Sequence, residues 1–96
     1  MVRPKKCRIV DAYPKVSSFK PVGVKGKTIE LGLDEFEALR LKDVEEFEQL
    51  RACKRMGISQ PTFHRLLLDA RRKVSDAIVN GKVLRVQGGA YKLGKV

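Results

Sequence analysis

The polar side chains of residues 59–68 are of the types that make specific contacts with another molecule. Gln60 carries an amide that both donates and accepts hydrogen bonds, and Arg65 carries a planar guanidinium that only donates. These groups match base edges in a DNA major groove, where Gln pairs with adenine and Arg with guanine. At helical spacing, the outward-facing positions, which are the candidate base-reading residues, are Ser59, Gln60, Pro61, His64, Arg65 and Leu68.

Catalysis and metal binding find little support in the sequence. His64 is the only histidine and is too isolated to be a metal ligand or a member of a catalytic dyad. Its side chain therefore either makes a polar contact to DNA or is solvated. Cys7 and Cys53 do not form a CxxC pair, and two reduced thiols are expected rather than a disulfide framework. No nucleophile–base pair, phosphate loop or carboxylate dyad has its own supporting pattern. We therefore expect no enzyme activity, no catalytic residue, no cofactor and no bound metal.

Basic residues are concentrated at both ends of the chain, whose formal net charge is +10. Eight Lys and Arg stand against one Asp in residues 1–29, and eleven stand against two Asp in residues 49–96, whereas residues 30–48 hold eight acids and two bases. Nucleic acid is therefore the expected class of partner, attracted to both ends and repelled by the middle. The basic residues that flank the base-reading candidates and suit phosphates are Arg51, Lys54, Arg55, Arg71, Arg72 and Lys73.

Residues 1–26 form a basic, proline-rich segment that we predict to be an extended arm, because prolines at positions 4, 14 and 21 exclude a long helix. We expect either a disordered terminus or an arm that enters a minor groove with three basic side chains, Arg3, Lys5 and Lys6. No apolar run approaches the about 18–20 residues of a membrane span, and no signal-peptide core follows Met1. A cytoplasmic protein without a membrane partner is expected.

The fold class predicted for residues 27–89 is mainly α, with a three-helix helix-turn-helix core and short N- and C-terminal β-strands. "KTIELG" and "KVLRVQGG" alternate apolar and polar residues, as short strands do, and residues 90–96 are predicted to be a loose tail. "LDEFEALRLKDV" predicts the first helix, with Asp34 as N-cap and Glu37 completing a capping box. Its acidic side chains are expected on the helix surface.

The second and third helices form the candidate helix-turn-helix, over residues 46–80. The second runs from about Glu46 to Met56, and Gly57 ends it. Ser59 is the predicted N-cap of the third, so Pro61 falls in the first turn, where its missing N–H costs no helical hydrogen bond. In the twenty-residue window 49–68 the motif wants a small residue, a glycine and five apolar residues at set positions. All of them fit, namely Cys53, Gly57, Ala52, Met56, Ile58, Phe63 and Leu66.

Several blocks of the sequence resemble a known family. They are "RPKK", "FKPVG", "LDEFEALRLKD", "RMGISQPTFHRLL" and "ARRKVSDAIVNGK", followed by a Gly-Gly pair, and together they span residues 3–89. The chain resembles uncharacterised protein family 0251, also called domain of unknown function 134. The resemblance implies a predicted DNA-binding protein with a helix-turn-helix similar to region four of bacterial sigma factors. One departure lies in the second helix, where "EQLRACKRMG" stands in place of the usual "EEAAERMG".

The sequence thus predicts a DNA-binding transcriptional regulator that reads double-stranded DNA with the helix starting near Ser59. Two alternatives stay open. The first is an RNA- or ribosome-associated basic protein, which is less favoured because no aromatic-rich strand pair offers a stacking platform. The second is an adaptor that contacts the transcription machinery, for example RNA polymerase, through the acidic helix of residues 34–44.

Self-association is expected from two features of the sequence. Leu68, Ser75 and Val79 make a thin second stripe on the third helix, and the strands near Ile29 and Leu84 are short and edge-prone. Symmetric DNA readers usually dimerise to span two half-sites. We therefore predict a homodimer built from terminal segments.

Overall fold

The structure is a computed structural model that describes residues 7–94. Within that range the chain forms three helices, α1 (Leu33–Leu39), α2 (Gln49–Met56) and α3 (Gln60–Asn80), and α1 continues directly into a π-helical turn at Arg40–Val44. The same residues form five strands, β1 (Arg8–Val10), β2 (Ser18–Phe19), β3 (Thr28–Leu31), β4 (Val83–Val86) and β5 (Tyr91–Leu93). None of the helices formed by residues 7–94 combines the length and apolar character that crossing a membrane requires.

The strands pair across the whole length of the chain. β1 and β5 form a parallel two-stranded sheet, and β4 lies at the centre of a three-stranded sheet, antiparallel to β2 and parallel to β3. The prediction of a mainly α fold is therefore wrong, because the described residues place three helices beside five strands in two sheets, an α/β fold. β1 and β2 lie in residues 1–26, the segment predicted to be an extended arm, and β5 lies in residues 90–96, the predicted loose tail.

The strands predicted in "KTIELG" and "KVLRVQGG" are confirmed as β3 and β4. β1, β2 and β5 escape an analysis of local periodicity because each is only two or three residues long. Their hydrogen-bonding partners are distant in sequence, since Arg8 pairs with Tyr91 and Ser18 with Arg85. Strand preference depends on such neighbours more than on the residues themselves. The strand that contains Leu84 is also not an edge, because β2 and β3 occupy both sides of β4.

Helix α1 begins two residues before the predicted position. Gly32 is its N-cap, with extended backbone angles, and the Gly32 N–H donates to Oε1 of Glu35 at 2.8 Å. The prediction of Asp34 as N-cap and Glu37 as its capping-box partner is therefore wrong. The carboxylate that satisfies the first N–H comes from Glu35 in the first turn, where the helix dipole favours negative charge.

The Glu37 carboxylate is fully buried and ties the N-terminal segment to α1. Its oxygens accept hydrogen bonds from the Arg40 guanidinium at 2.7 and 3.0 Å and from the Asp11 backbone N–H at 2.9 Å. The hydrogen bond to Glu37 raises the pKa of Arg40. A buried carboxylate is tolerated in a fold only with partners of this kind, so removing Arg40 would leave an uncompensated charge.

The core consists of two clusters of buried side chains that α3 connects. One lies where the strands meet α1 and the second half of α3, and it contains Val10, Leu31, Leu33, Ala70, Ala77, Leu84 and Val86. The other lies where α1, the π-helical turn and α2 meet the first half of α3, and it contains Ala38, Leu41, Ala52, Cys53, Met56, Phe63 and Leu67. The first half of α3 therefore packs on helices, and its second half packs mainly on strands.

Candidate nucleic-acid interface

The turn between α2 and α3 occupies residues 57–59 and follows from their types. Gly57 ends α2 in the left-handed conformation, with φ 68° and ψ 35°, which glycine adopts without steric cost. Ser59 is the N-cap of α3, and its Oγ accepts a hydrogen bond from the Thr62 N–H at 3.3 Å. These two predictions are confirmed, and so is the position of Pro61 in the first turn. The predicted start of α2 at Glu46 is wrong, because α2 begins at Gln49.

Small and apolar side chains hold α2 against α3. Ala52, Cys53 and Met56 are buried on α2, and Phe63 is fully buried on α3 in the same cluster. A small residue such as Cys53 lets the helices approach, because interaxial distance depends on the side chains at the contact. This packing leaves the opposite face of the first half of α3 open to solvent.

The six candidate base-reading residues are all exposed, in the turn before α3 and in its first half, namely Ser59, Gln60, Pro61, His64, Arg65 and Leu68. Two of them are linked through Gln49, the first residue of α2. Gln60 Nε2 donates to Gln49 Oε1 at 3.3 Å, and Gln49 Nε2 lies 3.1 Å from His64 Nδ1. Gln49 was not among the predicted site residues. Its only signal in the sequence is a polar side chain at the first position of the motif window.

Three cations of α2 and α3 make no ion pair within residues 7–94: Arg51, Lys54 and Arg65. All three are exposed. The Arg51 guanidinium lies over the Phe47 ring, 4.0 Å from its centroid, an arrangement that stabilises the cation and restricts its side chain. Lys54 lines a cleft with Ser59 and Thr62 at the start of α3, and Arg65 lines a polar cleft beside α3, so both cations border this half of the helix without an ion-pair partner in residues 7–94.

The remaining four candidate phosphate contacts form ion pairs with carboxylates. The pairs are Arg55–Asp11 at 2.9 Å, Arg71–Asp43 at 2.6 Å, Arg72–Asp69 at 3.6 Å and Lys73–Glu35 at 2.8 Å. Lys73 is the least exposed of these cations, and its Nζ is directed at the start of α1. Lys73 and Arg65 line the same polar cleft beside α3, but of these two cations only Lys73 is paired with a carboxylate.

The Arg71–Asp43 ion pair shifts the pKa values of both side chains. The hydrogen bond from Arg71, together with its charge, holds the pKa of Asp43 below its usual value, and the same hydrogen bond raises the pKa of Arg71. Both side chains are more than a third exposed, so solvent screens much of their attraction. The pair fixes where Arg71 points more than it stabilises the fold.

Comparison with known proteins identifies the family. A family model described as "Protein of unknown function DUF134" matches residues 1–94. The chain belongs to the DUF134 family. The family assignment made from the sequence blocks is thereby confirmed.

Individual DUF134 relatives match along almost the whole chain. A UPF0251 protein of Thermoanaerobacter pseudethanolicus is 49% identical over 96 residues, which cover 97% of this chain and 81% of the relative. A UPF0251 protein of Dehalococcoides mccartyi is 48% identical, with coverage of 97% and 82%. A UPF0251 protein of Moorella thermoacetica is 51% identical, with coverage of 97% and 64%. No solved structure matches the chain.

Three acidic residues of this DUF134 chain, predicted to lie on a helix surface, are buried. Asp34, Glu35 and Glu37 are 6%, 7% and 0% exposed. Asp34 lies 3.5 Å from the Arg8 guanidinium, and these two residues, with Glu35, line a polar cleft of about 450 Å³ beside α3. Buried carboxylates cannot contact a partner protein, so the acidic surface left on this region is the π-helical turn and the residues after it.

Some predictions about the DUF134 chain fall outside what the structure describes. The arm residues Arg3, Lys5 and Lys6 precede the described range.

Both cysteines are free thiols, Cys7 exposed and Cys53 buried. Within residues 7–94, no group of three His, Cys, Asp or Glu side chains is placed to hold a metal ion.

Proposed function

We propose that this DUF134 protein is a DNA-binding transcriptional regulator that places the N-terminal half of α3 in the major groove. The observation that carries the proposal is the surface at the start of α3. There, exposed hydrogen-bonding side chains lie near Lys54 and Arg65, which make no ion pair within residues 7–94. Specific recognition of DNA needs both groups, because bases are read by hydrogen bonds and phosphates supply much of the affinity.

The two helices divide the proposed contacts. Gln60 and Arg65, on the first turns of α3, carry the side chains that pair with adenine and guanine. Arg51 and Lys54 lie on α2, the helix that crosses the sugar–phosphate backbone when the following helix enters the groove. The dipole of α3 adds attraction for a phosphate near its first turn.

Arg65→Ala tests the proposal most directly. On a duplex selected by the wild-type protein from random sequences, we expect a loss of about 1–3 kcal/mol, because a bidentate contact to guanine disappears. On a scrambled duplex the loss should be much smaller. Fluorescence anisotropy titrations of both duplexes measure the difference.

Lys25→Ala is the matched control, because it also removes one positive charge. Lys25 is exposed and precedes Gly26, which lies against Gly81 at the far end of α3. Its loss should leave the ratio of the two affinities unchanged. Equal losses for Arg65→Ala on both duplexes would contradict the assignment of α3 as the recognition helix.

The competing assignment as an RNA- or ribosome-associated protein is tested by competition. A labelled duplex bound by the protein is challenged with unlabelled duplex DNA and with structured RNA in a gel shift. Our proposal requires DNA to compete better than RNA at equal nucleotide concentration.

The proposal includes a cytoplasmic location, where a prokaryotic chromosome is accessible.

A homodimer is also part of the proposal, since two recognition helices span half-sites about 34–36 Å apart. Val79, in the last turn of α3, is 78% exposed and available for a second copy. Light scattering should give the mass of a dimer at tens of micromolar. A monomer mass both with and without DNA would contradict this part.

A further inference from the structure

Gln49, the first residue of α2, bridges two candidate base-reading residues of α3. Its Oε1 accepts from Gln60 Nε2 at 3.3 Å, and its Nε2 lies 3.1 Å from His64 Nδ1. We propose that Gln49 is a positioning residue, which holds the Gln60 amide in the orientation that reads adenine. This inference rests on the proposed binding of DNA by α3 and adds one base preference to it.

The hydrogen-bonding groups of Gln60 account for the preference. A Gln side chain has two N–H donors and one carbonyl acceptor. Gln60 uses one N–H on Gln49, so one N–H and the carbonyl oxygen stay available. Adenine presents the complementary pair in the major groove, because N7 accepts and the N6 amino group donates.

The bridge also gives a role to His64. The Gln49 amide nitrogen can only donate, so Nδ1 of His64 is the acceptor and the ring proton lies on Nε2. With its nitrogen on His64 and its oxygen on Gln60, the Gln49 amide can exchange its two ends only if the His64 proton moves to Nδ1 and the Gln60 amide turns as well. His64 therefore holds the orientation of Gln49, and Gln49 holds that of Gln60.

The bridge matters because Gln60 and His64 are otherwise exposed to solvent. An exposed Gln side chain that binds a base must give up rotational freedom, and a side chain that is already held gives up less. A free amide can also turn over and offer the reverse order of donor and acceptor. The expected effect of Gln49 is thus on the choice of base at one position, more than on total affinity.

The experiment starts from the duplex that the wild-type protein selects. Gln60→Ala identifies the base pair read by Gln60, as the position where the preference for adenine disappears. We expect Gln49→Ala to lower the adenine preference at that base pair by about tenfold and to leave other positions unchanged. Leu50→Ala is the matched control, because this neighbouring side chain is 52% exposed and takes no part in the bridge.

Gln49→Glu separates positioning from affinity. A carboxylate still accepts from Gln60 Nε2, so the adenine preference should survive, whereas its negative charge near phosphates should weaken binding to every sequence. The double variant Gln49→Ala/Gln60→Ala should show the same base preferences as Gln60→Ala alone, because the two residues act as one unit.

The outcomes distinguish this inference from the proposed function. If the wild-type protein selects no duplex, the proposed function is overturned and the inference falls with it. If the wild-type protein is selective and Gln49→Ala keeps its adenine preference, the inference alone is overturned. Nitrogen-15 NMR of the His64 ring gives a readout without DNA, and a proton found mainly on Nδ1 would also overturn the inference.

Discussion

The two halves of α3 carry similar cations in different surroundings. Arg65, in the first half, makes no ion pair within residues 7–94, whereas Arg71 and Lys73, in the second half, meet carboxylates at 2.6 and 2.8 Å. Arg65 lines the polar cleft beside α3 without an ion pair, whereas Asp43 of the π-helical turn pairs with Arg71 and Glu35 of α1 pairs with Lys73. A count of basic residues therefore does not identify a contact surface, because the neighbouring carboxylates decide which cations remain available to bind a partner.

Phe63→Ala should have the largest effect on stability, because its fully buried ring lies among the side chains that join α2 to α3. The expected loss is about 3–5 kcal/mol of unfolding free energy, measured by urea denaturation. Ile78→Ala, in the second half of α3, removes a side chain that is 77% exposed and should cost less than about 0.5 kcal/mol. Similar losses for the two variants would mean that the Phe63 side chain is not buried.

Lys73→Met should lower stability and leave DNA binding unchanged. Its Nζ donates to the Glu35 carboxylate, which is only 10% exposed, so the variant removes a partner from a nearly buried charge. The expected loss is about 1–3 kcal/mol in a thermal or urea melt. Lys54→Met is the control, since Lys54 is exposed and should show the reverse pattern, with normal stability and weaker DNA binding. A weaker affinity for every duplex in Lys73→Met would place Lys73 back among the phosphate contacts.

Arg72→Ala tests whether a cation in the second half of α3 can also contact a phosphate. The Arg72 side chain is 71% exposed, and its guanidinium makes a long contact of 3.6 Å with the Asp69 carboxylate. Arg72 can therefore still turn toward a phosphate. All duplexes should be bound more weakly, and the slope of log K against log salt should fall by about 0.9 for one lost contact. Titrations at three salt concentrations measure the slope. An unchanged slope would limit the phosphate contacts to the region around the first half of α3.

Asp43→Asn should have the smallest effect, and the effect should depend on pH. The pKa of Asp43 is held below its usual 3.8 by Arg71, so the pair stabilises the fold above that pH and loses its contribution as the pH falls through the lowered value. The unfolding free energy of the wild type should exceed that of the variant by less than about 1 kcal/mol at pH 7, and the difference should vanish at a pH below the lowered pKa of Asp43. A difference that persists in acid would show that the Asp43 charge is not its cause.

Local signals predicted the α2–turn–α3 unit with few errors. Gly57, Ser59 and Pro61 occupy their predicted places, because caps and turns depend on residues a few positions apart. The start of α1 was missed for a related reason, since Gly32 and Asp34 both suit an N-cap and the choice depends on the strand that precedes them. The candidate surface was likewise predicted in its exposed residues but not in Gln49, which reaches Gln60 only across the completed turn.

Local residue patterns were sufficient to predict the family, the helix limits around the turn and the apolar face that carries Phe63. Only the tertiary structure decided the pairing of β1 with β5 and the partners of the charged side chains. Asp43 and Arg71 are 28 residues apart in sequence, and Glu35 and Lys73 are 38 apart. Periodicity reports interactions within a few residues, whereas these contacts depend on where the whole chain brings distant groups together.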